Sequence, residues 1–184
     1  MHGRKMFELE VFRTVIQRLE EAGIPYMLTG SVAANYYAVP RMTRDMDIVI
    51  ELEETDIPAL MRLLSKDFFV DENAIREAVK HKSLFNIIHQ SSIIKVDFII
   101  RKLSFYRQVE FKRRQRVSFE DFSFWIVSVE DLILSKLEWA KDSLSEMQLR
   151  DVKNLMALPN IDKSYLEEWC ASLGLKNLLE KALC

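Results

Sequence analysis

Two aspartates one residue apart, Asp45 and Asp47, head an apolar run that reads Asp45-Met46-Asp47-Ile48-Val49-Ile50. Side chains alternate along an extended strand, so both carboxylates fall on one face and can share an ion. Upstream, Thr29-Gly30-Ser31 is a small-residue turn between the short apolar stretch Tyr26-Met27-Leu28-Thr29 and a helix-like segment. A strand, turn and helix in that order present backbone N–H groups where a phosphate can bind. Mg²⁺ carried by a nucleotide takes carboxylate oxygens from a protein and phosphate oxygens from its substrate. The turn and the acid pair together imply a nucleotide site.

The surrounding pattern is mixed. Residues 7–21 have helical periodicity ended by Gly23 and Pro25, and Ser31 is positioned to cap a helix that stops before Pro40. Residues 46–52 read as a strand, and residues 57–65 and 73–80 as helices. The runs at 84–88 and 93–100, split by Gln90-Ser91-Ser92, read as a hairpin. Residues 105–113 suggest a further helix, with short strands at 116–119 and 124–127. From Ser128 the periods lengthen: Ser128 followed by Asp131 is a capping-box-like start, and helices are expected to Leu158, over 163–173 and at the C-terminus. The expectation is an α+β fold, a mixed β-sheet flanked by helices, divided into a catalytic domain over 1–127 and a C-terminal helical subdomain over 128–184 packed on it.

Composition narrows the class. With 184 residues, 49% hydrophobic and 29% charged, the chain can hold a substantial core, and no apolar run is long enough to span a bilayer. Its start lacks the apolar stretch of a signal peptide, which points to a cytoplasmic protein with no membrane partner. Cys170 and Cys184 suggest neither a disulfide framework nor a zinc site, and His2, His81 and His89 lack metal-ligand spacing. The formal net charge of −2 conceals a basic segment: Arg101, Lys102, Arg107, Lys112, Arg113, Arg114 and Arg116 stand against Glu110 alone. Such a segment draws a polyanion such as RNA, or is an ordinary solvated helix face.

Gly30-Ser31, Asp45-x-Asp47 and Asp97, in Ile93-Ile94-Lys95-Val96-Asp97-Phe98-Ile99-Ile100, together resemble the DNA polymerase beta-like nucleotidyltransferase superfamily. Arg41-x-Thr43-Arg44-Asp45-x-Asp47, Ser128-Val129-Glu130-Asp131-Leu132-Ile133-Leu134-Ser135-Lys136-Leu137 and Arg150-Asp151-Val152 bring the likeness nearest to the abortive-infection, toxin-like branch and related bacterial proteins. The chain departs from the commoner Gly-Ser-x-Ala-Arg-Gly form, reading Gly30-Ser31-Val32-Ala33-Ala34-Asn35, so the substrates of that form do not transfer.

The resemblance implies a metal-dependent nucleotidyltransferase. Asp45, Asp47 and Asp97 would be catalytic and bind Mg²⁺ or Mn²⁺, while Gly30, Ser31, Arg44 and Lys136 would bind an NTP. The acceptor would be a hydroxyl, in RNA through the basic segment or in a protein, and an antitoxin could be a partner. The alternative is a non-catalytic nucleotide-binding or toxin–antitoxin partner module.

Each residue also has a plainer reading. Asp97 could face solvent or pair with Lys95, Ser31 could be a simple cap, Arg41 and Arg44 could be surface ion-pair partners, and Lys136 a lysine whose stem covers the core. Asp151 is placed to orient Lys136 across two helices. Tyr36, Tyr37, Trp125 and Trp139 read as core rather than as stacking platforms.

Overall fold

The computed structural model describes residues 2–40, 43, 45–143 and 145–183. Arg41, Arg44 and Cys184 lie outside the described residues.

Helix α1 (His2–Glu21) ends where Gly23 adopts φ +65°, and the Gly23 and Ile24 N–H groups turn back onto the carbonyls of Glu20 and Leu19. Pro25 then releases the chain into β1 (Tyr26–Thr29), buried along its whole length. Helix α2 (Gly30–Tyr37) follows without a spacer, and β2 (Asp45–Ile50) returns antiparallel to β1. A 3-10 turn at Glu54–Asp56 leads into α3 (Ile57–Leu64), β3 (Phe68–Phe69) and α4 (Glu72–His81), which is capped by the Asp71 carboxylate. The hairpin β4 (Leu84–His89) and β5 (Lys95–Ile100) is present as expected. Helix α5 (Phe105–Lys112) and a second hairpin, β6 (Gln115–Phe119) and β7 (Phe122–Ile126), complete the sheet.

Among the described residues the sheet has seven strands in the order β3-β4-β5-β2-β1-β7-β6. Pairs β2–β5 and β1–β7 are parallel and the others antiparallel, so the sheet is mixed and the fold is α+β. Alternation divides the central strands cleanly. Met46, Ile48 and Ile50 of β2 and Val96, Phe98 and Ile100 of β5 are buried in one continuous core, while Asp45, Asp47, Lys95 and Asp97 take the opposite face.

Four helices follow: α6 (Val129–Ser143), α7 (Glu146–Met156), α8 (Lys163–Leu173) and α9 (Lys176–Leu183). They pack on one another, and α6 and α7 also meet α2. Helix α6 buries Leu132, Ile133, Leu134 and Leu137, so its apolar face is wide enough to be enclosed by both the sheet side and the later helices. Among the described residues no helix is long and apolar enough to cross a membrane.

Candidate active site

The turn after β1 is set by steric need. Thr29 is the register partner of Asp47, and Gly30 follows at φ +66°. A Cβ on Gly30 would lie 2.0 Å from Asp47 Oδ2, an impossible approach, so glycine is required by both the dihedral and the neighbour. The helix begins at Gly30, with Thr29 in the cap position. Ser31 is therefore inside the first turn, and the cap expected at that position is displaced by two residues. Its backbone N–H donates instead to the Asp47 carboxylate.

Parallel pairing of β2 with β5 puts Asp47 directly beside Asp97, and Asp45 beside Lys95. Three carboxylates thus share a face with one ammonium. Lys95 Nζ donates to Asp97 Oδ2 at 2.9 Å and stands 3.9 Å from Asp45 Oδ1. Asp97 therefore pairs with Lys95, as its plainer reading expected, and also adjoins the aspartate pair. Among the described residues its Oδ1 is buried without a hydrogen-bond partner. An orphaned carboxylate oxygen is costly in a folded interior and marks a place where a ligand or cation would be welcomed. Burial pushes the Asp47 carboxyl above the ordinary carboxylate range, and Asp97 and Asp45 push it further. The Ser31 N–H and the Lys136 charge oppose the shift.

Lys136 reaches this corner from α6 and is almost fully buried. Its ammonium donates to Asp151 Oδ2 at 2.8 Å and to Gln148 Oε1 at 3.1 Å, so the expected helix-to-helix pair is present. Gln148 was not anticipated. Its only sequence signal is its place three residues before Asp151, which puts both on one face of α7. Gly30, Ser31, Asp47, Lys136, Trp139 and Gln148 line a cavity of about 160 Å³. A neighbouring cavity of about 350 Å³ shares Thr29, Ile99, Ser135 and Trp139 with it and adds Arg101 and Lys102. Trp139 differs from its expected core placement, being 60% exposed over both cavities. On the other side of the acids, Phe12, Val32, Tyr36, Asp45, Ile94 and Phe124 help to line a largely apolar cavity of about 280 Å³.

The basic segment does not form the free face its local charge suggested. Arg101 pairs with Glu51, Arg113 with Asp131 and Glu130, and Arg116 with Glu20. Arg107 is held by Glu110, Glu138 and Ser135. Arg114 donates to the Phe111 carbonyl and lies over the Phe111 and Trp125 rings. Only Lys102 and Lys112 of the seven are exposed without a described ion pair. Apart from Glu110, the acids that neutralise the arginines come from outside the segment, which is why a local charge count misses them.

No protein-family model matches the chain, and no curated protein matches it in sequence. Solved structures do match. An antigenic nucleotidyltransferase-like protein from Paracoccidioides brasiliensis aligns with a TM-score of 0.54 at 19% identity, over 92% of this chain and 88% of that one. The antibiotic-resistance factor ANT(2'')-Ia aligns with a TM-score of 0.55 at 14% identity, over 97% and 90% respectively. The chain has the nucleotidyltransferase fold. The lincosamide antibiotic adenylyltransferase LnuA, solved with lincomycin bound, aligns with a TM-score of 0.51 at 16% identity, over 85% and 97%. At these identities the likeness is one of fold.

Within this nucleotidyltransferase fold the corner brings the Ser31 N–H onto the Asp47 carboxylate and the Lys136 charge near it. Yet no three acidic, histidine or cysteine side chains among the described residues are close enough to form a ready-made metal cage. Two of the three acids are instead in contact with Lys95.

Proposed function

We propose that this protein is a metal-dependent nucleotidyltransferase that moves a nucleoside monophosphate from an NTP to an acceptor hydroxyl, releasing pyrophosphate. The observation that carries this reading is Asp97 abreast of Asp47, Asp97 keeping a buried oxygen with no partner among the described residues while Asp47 accepts the Ser31 N–H and feels the Lys136 charge. Asp45, Asp47 and Asp97 are the residues that would hold Mg²⁺ or Mn²⁺; three hard oxygen donors suit these ions. The close approach of Gly30 to Asp47 fits the same assignment, because it leaves no side chain between the phosphate turn and the carboxylates. A divalent cation in this place supplies concentrated positive charge against the phosphate oxygens.

The chain's own groups then have distinct tasks. Gly30 and Ser31 orient the outgoing phosphates through the first turn of α2, and Lys136 balances their charge from behind. Asp97 receives the proton of the attacking hydroxyl as its oxygen bonds to the α-phosphorus and the bond to pyrophosphate breaks. Attack and departure lie roughly in line in phosphoryl transfer, so the two partners must approach from opposite sides. The nucleotide accordingly takes the two cavities beneath α6, and the acceptor takes the apolar cavity beside Asp45. Residues 1–127 supply the acids and the phosphate turn, and 128–184 supply Lys136.

A small hydroxyl-bearing acceptor is favoured over RNA. The arginines between 101 and 116 are engaged by internal acids, and the solved proteins of this fold include an adenylyltransferase holding lincomycin. The position of Lys95 favours the second reading, a nucleotide-binding or toxin–antitoxin partner module without turnover, because a lysine already neutralises two of the acids.

Incubation with Mg²⁺ and NTPs labelled at the α- or γ-phosphate, against panels of small alcohols, aminoglycoside-like sugars, protein and RNA, tests the proposal. Label from the α-position alone should appear in an acceptor, with pyrophosphate released, and Asp47→Asn should abolish it. Transfer of γ-label, or α-label transfer undiminished in Asp47→Asn, would overturn the assignment.

A further inference from the structure

The register of β2 and β5 builds a two-by-two block on one face, with Asp45 beside Lys95 and Asp47 beside Asp97. Lys95 Nζ lies between two carboxylates, 2.9 Å from Asp97 Oδ2 and 3.9 Å from Asp45 Oδ1. Mg²⁺ in general binds oxygen ligands at about 2.0–2.1 Å, closer than the ammonium stands to either carboxylate. Its charge and its size leave no room for an ammonium at that spot. Lys95 is nevertheless free to leave. Its side chain is 39% exposed and rests on a flexible four-carbon stem, so Nζ can swing toward water while the backbone stays in the ladder. Asp97 Oδ1 shows that the lysine satisfies the block incompletely.

We infer that Lys95 is an exchangeable counter-ion: it neutralises Asp45 and Asp97 in the bare protein, and a divalent cation must displace it to bind. Lys95 thereby sets how tightly the protein takes metal by itself and makes metal binding depend on an arriving polyphosphate, whose oxygens add ligands and whose charge offers the displaced ammonium a new partner. This inference rests on the metal-site reading given above.

The test is Mn²⁺ binding, followed by the paramagnetic resonance signal of free Mn²⁺, with and without a non-hydrolysable ATP analogue. Wild type, Lys95→Met, Lys95→Arg and Lys95→Met combined with Asp47→Asn are compared, with melting curves to establish that each is folded. Without nucleotide, Lys95→Met should bind Mn²⁺ at least about ten-fold more tightly than wild type, since one competing unit charge is gone from contact distance. Lys95→Arg should stay near wild type, and the added Asp47→Asn should erase the gain. The nucleotide should tighten Mn²⁺ binding more in wild type than in Lys95→Met. Equal Mn²⁺ affinity in wild type and Lys95→Met would overturn the role of Lys95 while leaving the metal site standing. Absence of Mn²⁺ binding in every variant, with nucleotide or without, would overturn the metal site and this inference with it.

Discussion

Two groups of acids lie around helix α6, one buried and the other partly open to solvent, and they are finished to different degrees. Around Asp131, which is fully buried, every carboxylate oxygen is used: Oδ2 accepts from the Ser128 hydroxyl at 2.6 Å and from Arg113 at 3.0 Å, and Oδ1 from the Tyr165 hydroxyl at 2.7 Å. Glu110 is likewise enclosed by Arg107 and Ser135. On the central strands, Asp45 and Asp97 share one lysine beside Asp47, and among the described residues an Asp97 oxygen is left unpartnered. A satisfied polar network rigidifies the elements it joins, whereas a charged cluster with spare valence has capacity for a ligand. The first group fixes α6, and α6 carries Lys136 to the second.

The comparison can be broken most forcefully at Asp131. Asp131→Ala removes the carboxylate that Arg113, Ser128 and Tyr165 converge on and should cost about 3–5 kcal/mol in urea unfolding. A loss comparable to that of a surface substitution would show that the network is not what holds α6. Lys136→Met should cost about 3 kcal/mol, because Asp151 is left buried without that cation. Adding Asp151→Leu should return most of the stability but not nucleotide binding. Recovery of both would make Lys136 purely structural.

On the central strands the sign should reverse. The Asp47 carboxyl is raised above its unfolded value, so its contribution to stability is full only below the unfolded titration range and is lost as pH rises through the folded one. Metal-free Asp47→Asn should therefore be more stable than wild type at neutral pH, with the advantage fading as the pH is lowered until wild-type Asp47 is protonated. Chemical denaturation across that range measures it, and a variant less stable at neutral pH would mean that the acids are already well compensated. The smallest effect belongs to a half-exposed helix pair: Arg76→Ala, which breaks the contact with Glu72, should change stability by no more than about 0.5 kcal/mol.

Much of this architecture was legible because it rests on local rules. Period-two alternation placed Asp45, Asp47 and Asp97 on strands, glycine marked the turn at Gly30, and the Ser128 cap announced α6. Strand β3 escaped because two residues, Phe68 and Phe69, are too short to show any period. The partners of the basic segment escaped for a different reason: Arg116 meets Glu20 and Arg101 meets Glu51 only once the chain is folded. Register is also a tertiary property. The Lys95–Asp97 pair was readable along one strand, but only the register puts Lys95 beside Asp45 as well.

The central claim, that the unfinished acidic cluster binds a metal with a nucleotide, is tested most directly by melting temperature with NTP and Mg²⁺ in wild type and Asp47→Asn. A ligand that binds only the folded state at about 100 times its dissociation constant stabilises it by about 2.7 kcal/mol, enough for a shift of several degrees. The account predicts that shift in wild type and its near-absence in Asp47→Asn. Equal shifts in the two proteins would place the nucleotide elsewhere and contradict it.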